Sequence, residues 1–229
     1  MIAALPMYDM PAIRAETDRL WAAIRDALRD AGFEAPDGLT RPIDDPWPLW
    51  HANDLTMSQT CGLPYSAKLS GKVTLLGAPD YDLGNNPAGH YFSYIIVRDD
   101  HPATSIEALR GGRFAFNMRE SQSGWAAPDA LLGINQRFDV KVETGGHAAS
   151  AHAVAEGRAD AAGIDAVTWA LLERHDPAIR TLRVIAQTPP TPGLPYISRP
   201  LPEEDAARMR AAVGAGIATP DQAARDALL

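Results

Sequence analysis

The sequence predicts an α/β fold with mainly parallel sheets. Two observations carry that expectation. Apolar runs of strand length alternate with stretches of helical periodicity along the whole chain. Polar turns follow the apolar runs, at Tyr8-Asp9, 58–62, 117–124, 145–150 and Asp165. In open α/β sheets, ligands sit outside the carboxyl ends of strands, so several polar strand ends point to a site better than any one does.

Ile2 to Tyr8 reads as a buried strand. Pro11 opens a helix, because proline is favoured in a first turn. Ile13, Leu20, Trp21, Ile24 and Leu28 recur at helical spacing, and Gly32 ends the helix. Residues 36–48, rich in Pro and Asp, read as a loop. Leu55 to Ser58 and Val73 to Ala78 are strands, and a polar loop covers Pro79 to Gly89. Tyr91 to Val97 is the longest strand-like run of the first half. Ser105 to Leu109 is a short helix and Arg113 to Asn117 a strand. A helix follows Ser121–Gly124 and breaks near Pro128. Val140 to Thr144 is a strand, and Gly145-Gly146 turns into a helix reaching Glu156. Asp160 to Asp165 is a strand, Val167 to Arg174 a helix and Leu182 to Gln187 a strand. Pro189, Pro190, Pro192 and Pro195 stiffen the next connection. Helices at Leu201–Val213 and Asp221–Ala227 close the chain.

A chain of 229 residues is long enough for one large domain or two small ones. Its 46% apolar and 22% charged content is that of a globular protein. A net charge of −8 argues against a nucleic-acid or anionic-membrane partner, yet local donors still suit a small anion. Cys61 is the single cysteine, so neither an internal disulfide nor a thiolate zinc site is available. Beside Gly62, it reads as a small buried thiol rather than a nucleophile. The histidines form no HxxxH pair, and no metal or cofactor is expected. His51, His101 and His175 read as surface residues, and Trp21, Trp125 and Trp169 as packing. No apolar run approaches the roughly 18 residues of a membrane span. Met1-Ile-Ala-Ala-Leu-Pro6 lacks the basic and long apolar regions of a signal peptide. The expected location is periplasmic if a leader has been removed and cytoplasmic otherwise.

The most informative stretch is Ser121-Gln122-Ser123-Gly124, between a strand and a helix. Unpaired N–H groups and the dipole at a helix start suit a small anion or carbonyl oxygen, and two hydroxyls, an amide and a glycine add donors and room. The alternative is that a serine only caps the helix. His147 and Asp165 stand at the next two strand ends, and each has the same alternative role as a cap. Tyr8 and Tyr91 read equally well as site aromatics or as core.

The order of Ser121-Gln-Ser-Gly124, Gly145-Gly-His-Ala-Ala-Ser150 and Ile164-Asp165-Ala-Val-Thr-Trp169 resembles the phosphonate-type substrate-binding proteins of ABC transporters. The run Tyr91-Phe-Ser-Tyr-Ile-Ile-Val-Arg98 and the return at Gln187–Pro195 match them too. The resemblance implies a two-lobed type 2 periplasmic-binding-protein-like fold, each lobe a mainly parallel sheet flanked by helices. Lobe I would comprise 1–92 plus 188–229 and lobe II 98–183, with crossovers at 93–97 and 184–187. It also implies a small ligand, expected to be anionic, phosphonate-, phosphite- or phosphate-like, held between lobes that close as a Venus flytrap, and a transporter permease as partner. By position, Ser121, Gln122 and Ser123 would donate to the anion's oxygens, with His147 beside it. Asp165 would meet an amino group. Tyr8, Tyr91, Ser58, Gln59 and Thr60 would complete the site. The alternative is a cytoplasmic enzyme (a lyase or synthase) or a ligand sensor on the same fold. The upstream sequence of the gene separates these options.

Overall fold

The computed structural model of the chain describes residues 1–81, 83, 84, 86–220 and 222–228. Strand β1 (Ile2–Ala4) leads through a 3₁₀ turn (Pro11–Ile13) into helix α1 (Arg14–Asp30). The strand expected to reach Tyr8 stops at Ala4, and Pro6 beyond it has no N–H to offer a ladder. Gly32, at φ 83°, closes α1 as expected. The loop after it ends in a short helix, α2 (Trp47–Trp50), too brief for periodicity to reveal. Strand β2 (Leu55–Gln59), helix α3 (Gly62–Pro64) with a wide π turn (Tyr65–Leu69), and strand β3 (Thr74–Gly77) follow.

Next come β4 (His90–Tyr91), β5 (Ser93–Arg98), a 3₁₀ turn (Ile106–Ala108) and β6 (Arg113–Phe116). A wide π turn (Gln122–Ala126) runs on into α4 (Ala127–Leu132) and α5 (Ile134–Arg137). Pro128 does not break this helix. It stands in the first turn of α4, where its missing N–H is tolerated. Strand β7 (Val140–Glu143), helix α6 (His147–Ala155), strand β8 (Ala161–Asp165) and helix α7 (Ala166–His175) follow. Strands β9 (Leu182–Gln187), β10 (Thr191–Pro192) and β11 (Tyr196–Ser198) precede α8 (Glu203–Ala218) and α9 (Gln222–Leu228). The sequence did not single out β11. Asp221, where the last helix was expected to start, lies outside the described residues, as do residues 82 and 85 of the Pro79–Gly89 loop.

The chain divides into two compact units, Met1–Asp80 with Gly193–Leu229, and Tyr81–Pro192. In the first, the strand order among the described residues is β1-β2-β11-β3. Strands β1, β2 and β3 run the same way, and the returning β11 inserts antiparallel between β2 and β3. The core of this unit packs Trp21, Ile24 and Leu28 of α1 with Met209, Ala212 and Val213 of α8. Trp50, Leu55, Leu69 and Ile197 form a second cluster.

In the second unit the order is β7-β6-β8-β5-β9. Strands β7, β6 and β8 are parallel, while β5 runs antiparallel to both β8 and β9. Each sheet is therefore mainly parallel in direction, with one strand, β11 or β5, set against the others. Strand β5, which enters the second unit's sheet, runs against its βαβ strands, and β9, antiparallel to β5, runs with them. Residues 93–97 and 184–187 lie in paired strands of this sheet, Tyr94 opposite Gln187. Residues 81–92 fall in the same unit, where β4 pairs with β10, Tyr91 opposite Thr191. The compact units thus meet at 80/81 and 192/193, outside the boundaries the sequence suggested.

Candidate functional site

The parallel trio β7-β6-β8 brings three turns to one end of the second unit's sheet. Its strands leave through Asn117–Gly124, Thr144–His147 and Asp165. Backbone bonds tie the first two turns together: Thr144 N donates to Phe116 O (2.9 Å) and Gly145 N to Asn117 O (2.8 Å). Gly145, at φ 83°, takes a left-handed conformation that suits glycine.

His147 is the first residue of α6, and its side chain bonds across the turns instead of capping its own helix. Nδ1 lies 3.2 Å from Gly163 O. A carbonyl only accepts, so Nδ1 carries the hydrogen. Nε2 lies 2.8 Å from Ser123 Oγ, 3.3 Å from Asp165 Oδ2 and 3.5 Å from Asn117 Nδ2. The imidazole is thus the hub joining all three strand ends. Its side chain is 12% exposed and that of Asp165 3%.

Ser121 does cap: its Oγ accepts the Gly124 N–H at 3.0 Å. Accepting leaves the hydroxyl hydrogen able to donate elsewhere. Ser123 makes no cap and reaches His147. Gln122 between them is half-buried. Asp165 is the N-cap of α7, its Oδ1 taking the Thr168 N–H (2.9 Å) and its Oδ2 the Thr168 hydroxyl (2.5 Å). Gly124 lets this cluster close. A Cβ there would collide with Asn117 Oδ1 and come within 3.2 Å of His147 Cε1. Gly163 has the same function on β8, where a Cβ would lie 2.5 Å from Pro128 Cγ. Asn117, Thr168 and Gly163 escaped the sequence analysis as partners of the cluster. The pairing of Ser123 with His147 spans 24 residues, and no local signal announces it.

Ser, His and Asp together raise the question of a catalytic triad, in which the carboxylate holds the ring nitrogen opposite the one that faces the serine. Here Ser123 and Asp165 face the same nitrogen, and a backbone carbonyl holds the other. That geometry lacks the carboxylate-to-ring pairing of a triad, and a backbone carbonyl orients the ring in its place. Near the serine turn, the Arg119 guanidinium stacks on Trp125, 3.7 Å from the ring centroid.

The remaining candidates are spread over both units. Tyr91 is buried on β4 in the second. Ser58 and Gln59 end β2 in the first unit, with Thr60 next. Ser58 Oγ donates to Gln59 O at 3.2 Å. Thr60 is 0% exposed and its hydroxyl has no hydrogen-bond partner in the protein. Tyr8 follows β1 and is partly buried. Cys61 is buried, as are Trp21, Trp125 and Trp169. A cavity of about 390 Å³ in the first unit is walled by Leu5, Pro6, Asp9, Arg14 and Arg41 among others. Its charges pair with each other: Arg41 binds both oxygens of Asp9 and also Asp18. Among the described residues no cluster of three His, Cys, Asp or Glu could hold a metal ion, and no helix is long and apolar enough to cross a membrane.

The family of ABC-transporter phosphonate periplasmic substrate-binding proteins matches residues 51–224. No curated protein matches the chain. Among solved structures, the binding-protein component of an ABC phosphonate transporter from Pseudomonas aeruginosa is 19% identical, with a TM-score of 0.71, covering 92% of this chain and 72% of that one. PhnD1 from Prochlorococcus marinus in complex with methylphosphonate is 17% identical, with a TM-score of 0.74, covering 100% of this chain and 88% of that one. A histidine kinase sensor domain with similarity to periplasmic binding proteins is 16% identical, with a TM-score of 0.62, covering 93% and 89%. These likenesses fix the fold as that of type 2 periplasmic binding proteins. The family match over most of the sequence goes further: the chain belongs to the periplasmic substrate-binding proteins of phosphonate ABC transporters, which bind a solute for transport and are not enzymes.

Proposed function

We propose that this protein captures a small oxyanion of the phosphonate, phosphite or phosphate class and delivers it to an ABC-transporter permease in the periplasm. The observation that carries the reading is the convergence of Ser121, Ser123 and His147 at adjacent strand ends of one parallel trio. The Ser121 hydroxyl and the N–H groups at the start of the π turn are donors, and the Ser123 hydroxyl becomes one by turning its hydrogen from His147 to the anion. A charge-assisted bond from each contributes about 1.5–3 kcal/mol in a dry site. Gln122 adds an amide.

In this reading the two compact units are the two lobes, which close on the ligand, and the first lobe adds donors of its own. Ser58, Gln59 and Thr60 are the candidates there. The buried, unpartnered Thr60 hydroxyl supports it, since such a group is costly unless something bonds to it. Tyr8 and Tyr91 would flank the organic substituent.

Isothermal titration with methylphosphonate, phosphite, phosphate and small carboxylates tests the reading. At least one phosphorus oxyanion is expected to bind with Kd well below about 1 mM. Ser123→Ala is expected to weaken it by about 1–3 kcal/mol, with circular dichroism unchanged. No binding by any of the set, or an unchanged affinity in Ser123→Ala, would sink it.

A further inference from the structure

We infer that Asp165 serves the protein and not the ligand, so that the site takes oxyanions carrying no ammonium group. The inference rests on the proposed anion site at Ser121, Ser123 and His147. An acidic residue at this strand end invites the opposite reading, in which its carboxylate receives a ligand's amine.

The geometry argues against that reading. Both Asp165 oxygens are engaged inside the protein, Oδ1 by the Thr168 N–H at 2.9 Å and Oδ2 by the Thr168 hydroxyl at 2.5 Å. Oδ2 also lies 3.3 Å from His147 Nε2. The side chain is 3% exposed. An ammonium reaching it would have to shed its water, displace the Thr168 hydroxyl and crowd the imidazole, with one carboxylate as its return. Ser121 is buried as well, but its hydroxyl accepts the bond it makes and still has its hydrogen to offer an anion. The Asp165 carboxylate keeps spare lone pairs. With both oxygens gripped by Thr168, the imidazole at 3.3 Å and 3% exposure, however, an ammonium would reach them only by losing its water and crowding the ring.

Thr168 is thereby a specificity-determining residue. Its hydroxyl turns the Asp165 carboxylate into a helix cap and keeps Oδ2 beside His147. The ring in turn stays aimed at Ser123.

The test is the ratio of dissociation constants for 2-aminoethylphosphonate and methylphosphonate, measured by calorimetry on the full chain. The wild-type protein is expected to bind the amino compound at least about tenfold more weakly. Thr168→Val keeps the backbone N–H but removes the hydroxyl, and is expected to lower that ratio by freeing Oδ2. Damage to the fold alone would weaken both ligands together and leave the ratio fixed. Equal or tighter binding of the amino compound by the wild-type protein overturns the inference, and so does an unchanged ratio in Thr168→Val. Methylphosphonate binding with that result leaves the anion site standing. Binding of neither compound, nor of phosphite, overturns the anion site and this inference with it.

Discussion

Gly124 sets how close the serine turn comes to its neighbours. An added methyl group would strike Asn117 Oδ1, which itself accepts the Met118 N–H at 2.9 Å and cannot swing away freely. Gly124→Ala should therefore cost about 1–3 kcal/mol of stability through overpacking, read by urea denaturation. It should weaken oxyanion binding as well, because Ser123 and His147 must part. A second residue-scale expectation concerns acid. Burial alone would raise the Asp160 carboxyl, but bonds from the Arg113 side chain and N–H, with the guanidinium charge, hold it below the usual carboxylate range. A carboxyl lowered in the folded state stabilises at pH values above its unfolded pKa, about 3.9. That stabilisation is lost as pH falls through the lower folded value. Urea melts of wild type and Asp160→Asn should thus differ at neutral pH and converge progressively below about pH 4. A constant gap would show that Asp160 acts only through packing. At this scale the sequence was informative about residue types. Ser123, His147 and Asp165 stood out as strand-end polar groups. That His147 would bond to the other two could not be read, since a hydrogen bond depends on distances that only folding sets.

At the scale of elements, α1 and α8 pack backbone against backbone at Gly216. A Cβ on Gly216 would lie 2.5 Å from Ile24 Cα and 2.9 Å from its nitrogen. Helix propensity favours alanine over glycine by about 1 kcal/mol. Overpacking against backbone costs about 1–3 kcal/mol, and backbone has nowhere to turn. Gly216→Ala should therefore destabilise on balance, whereas Gly214→Ala, with nothing within reach of its Cβ, should stabilise. A pair of thermal melts decides it, and equal shifts would refute the close crossing. The periodicity of α1 was plain in the sequence, because its Trp21, Ile24 and Leu28 all face one cluster. Short elements were hidden. Tyr196–Ser198 is a three-residue strand after a proline-rich run, and its place between β2 and β3 is a matter of long-range pairing. Pro128 marked a helix break by local rules. The wide turn before it lets the helix begin there instead.

For the molecule as a whole, the charge of −8 sets the approach of an anion. Like charge repels, and salt screens that repulsion over a Debye length of about 10 Å at 0.1 M. The association rate of a phosphorus oxyanion should rise with ionic strength, as followed by stopped-flow tryptophan fluorescence. A rate that falls with salt would mean that a local positive field outweighs the net charge. Ligand binding should also raise the unfolding free energy by about 2.7 kcal/mol at a hundredfold excess over Kd. The sequence by itself determined the fold class, the order of the long helices and strands, the family and the polar strand ends, because each is written in local periodicity, turn chemistry and motif order. Only the tertiary structure decided the mixed strand directions, the limits of the compact units and the uses of the serine turn. There Ser121 caps, Ser123 reaches His147, and Asp165 is held by Thr168. Those outcomes turn on which distant groups meet. Chain neighbours do not encode that, because burial and packing settle it for the whole domain at once.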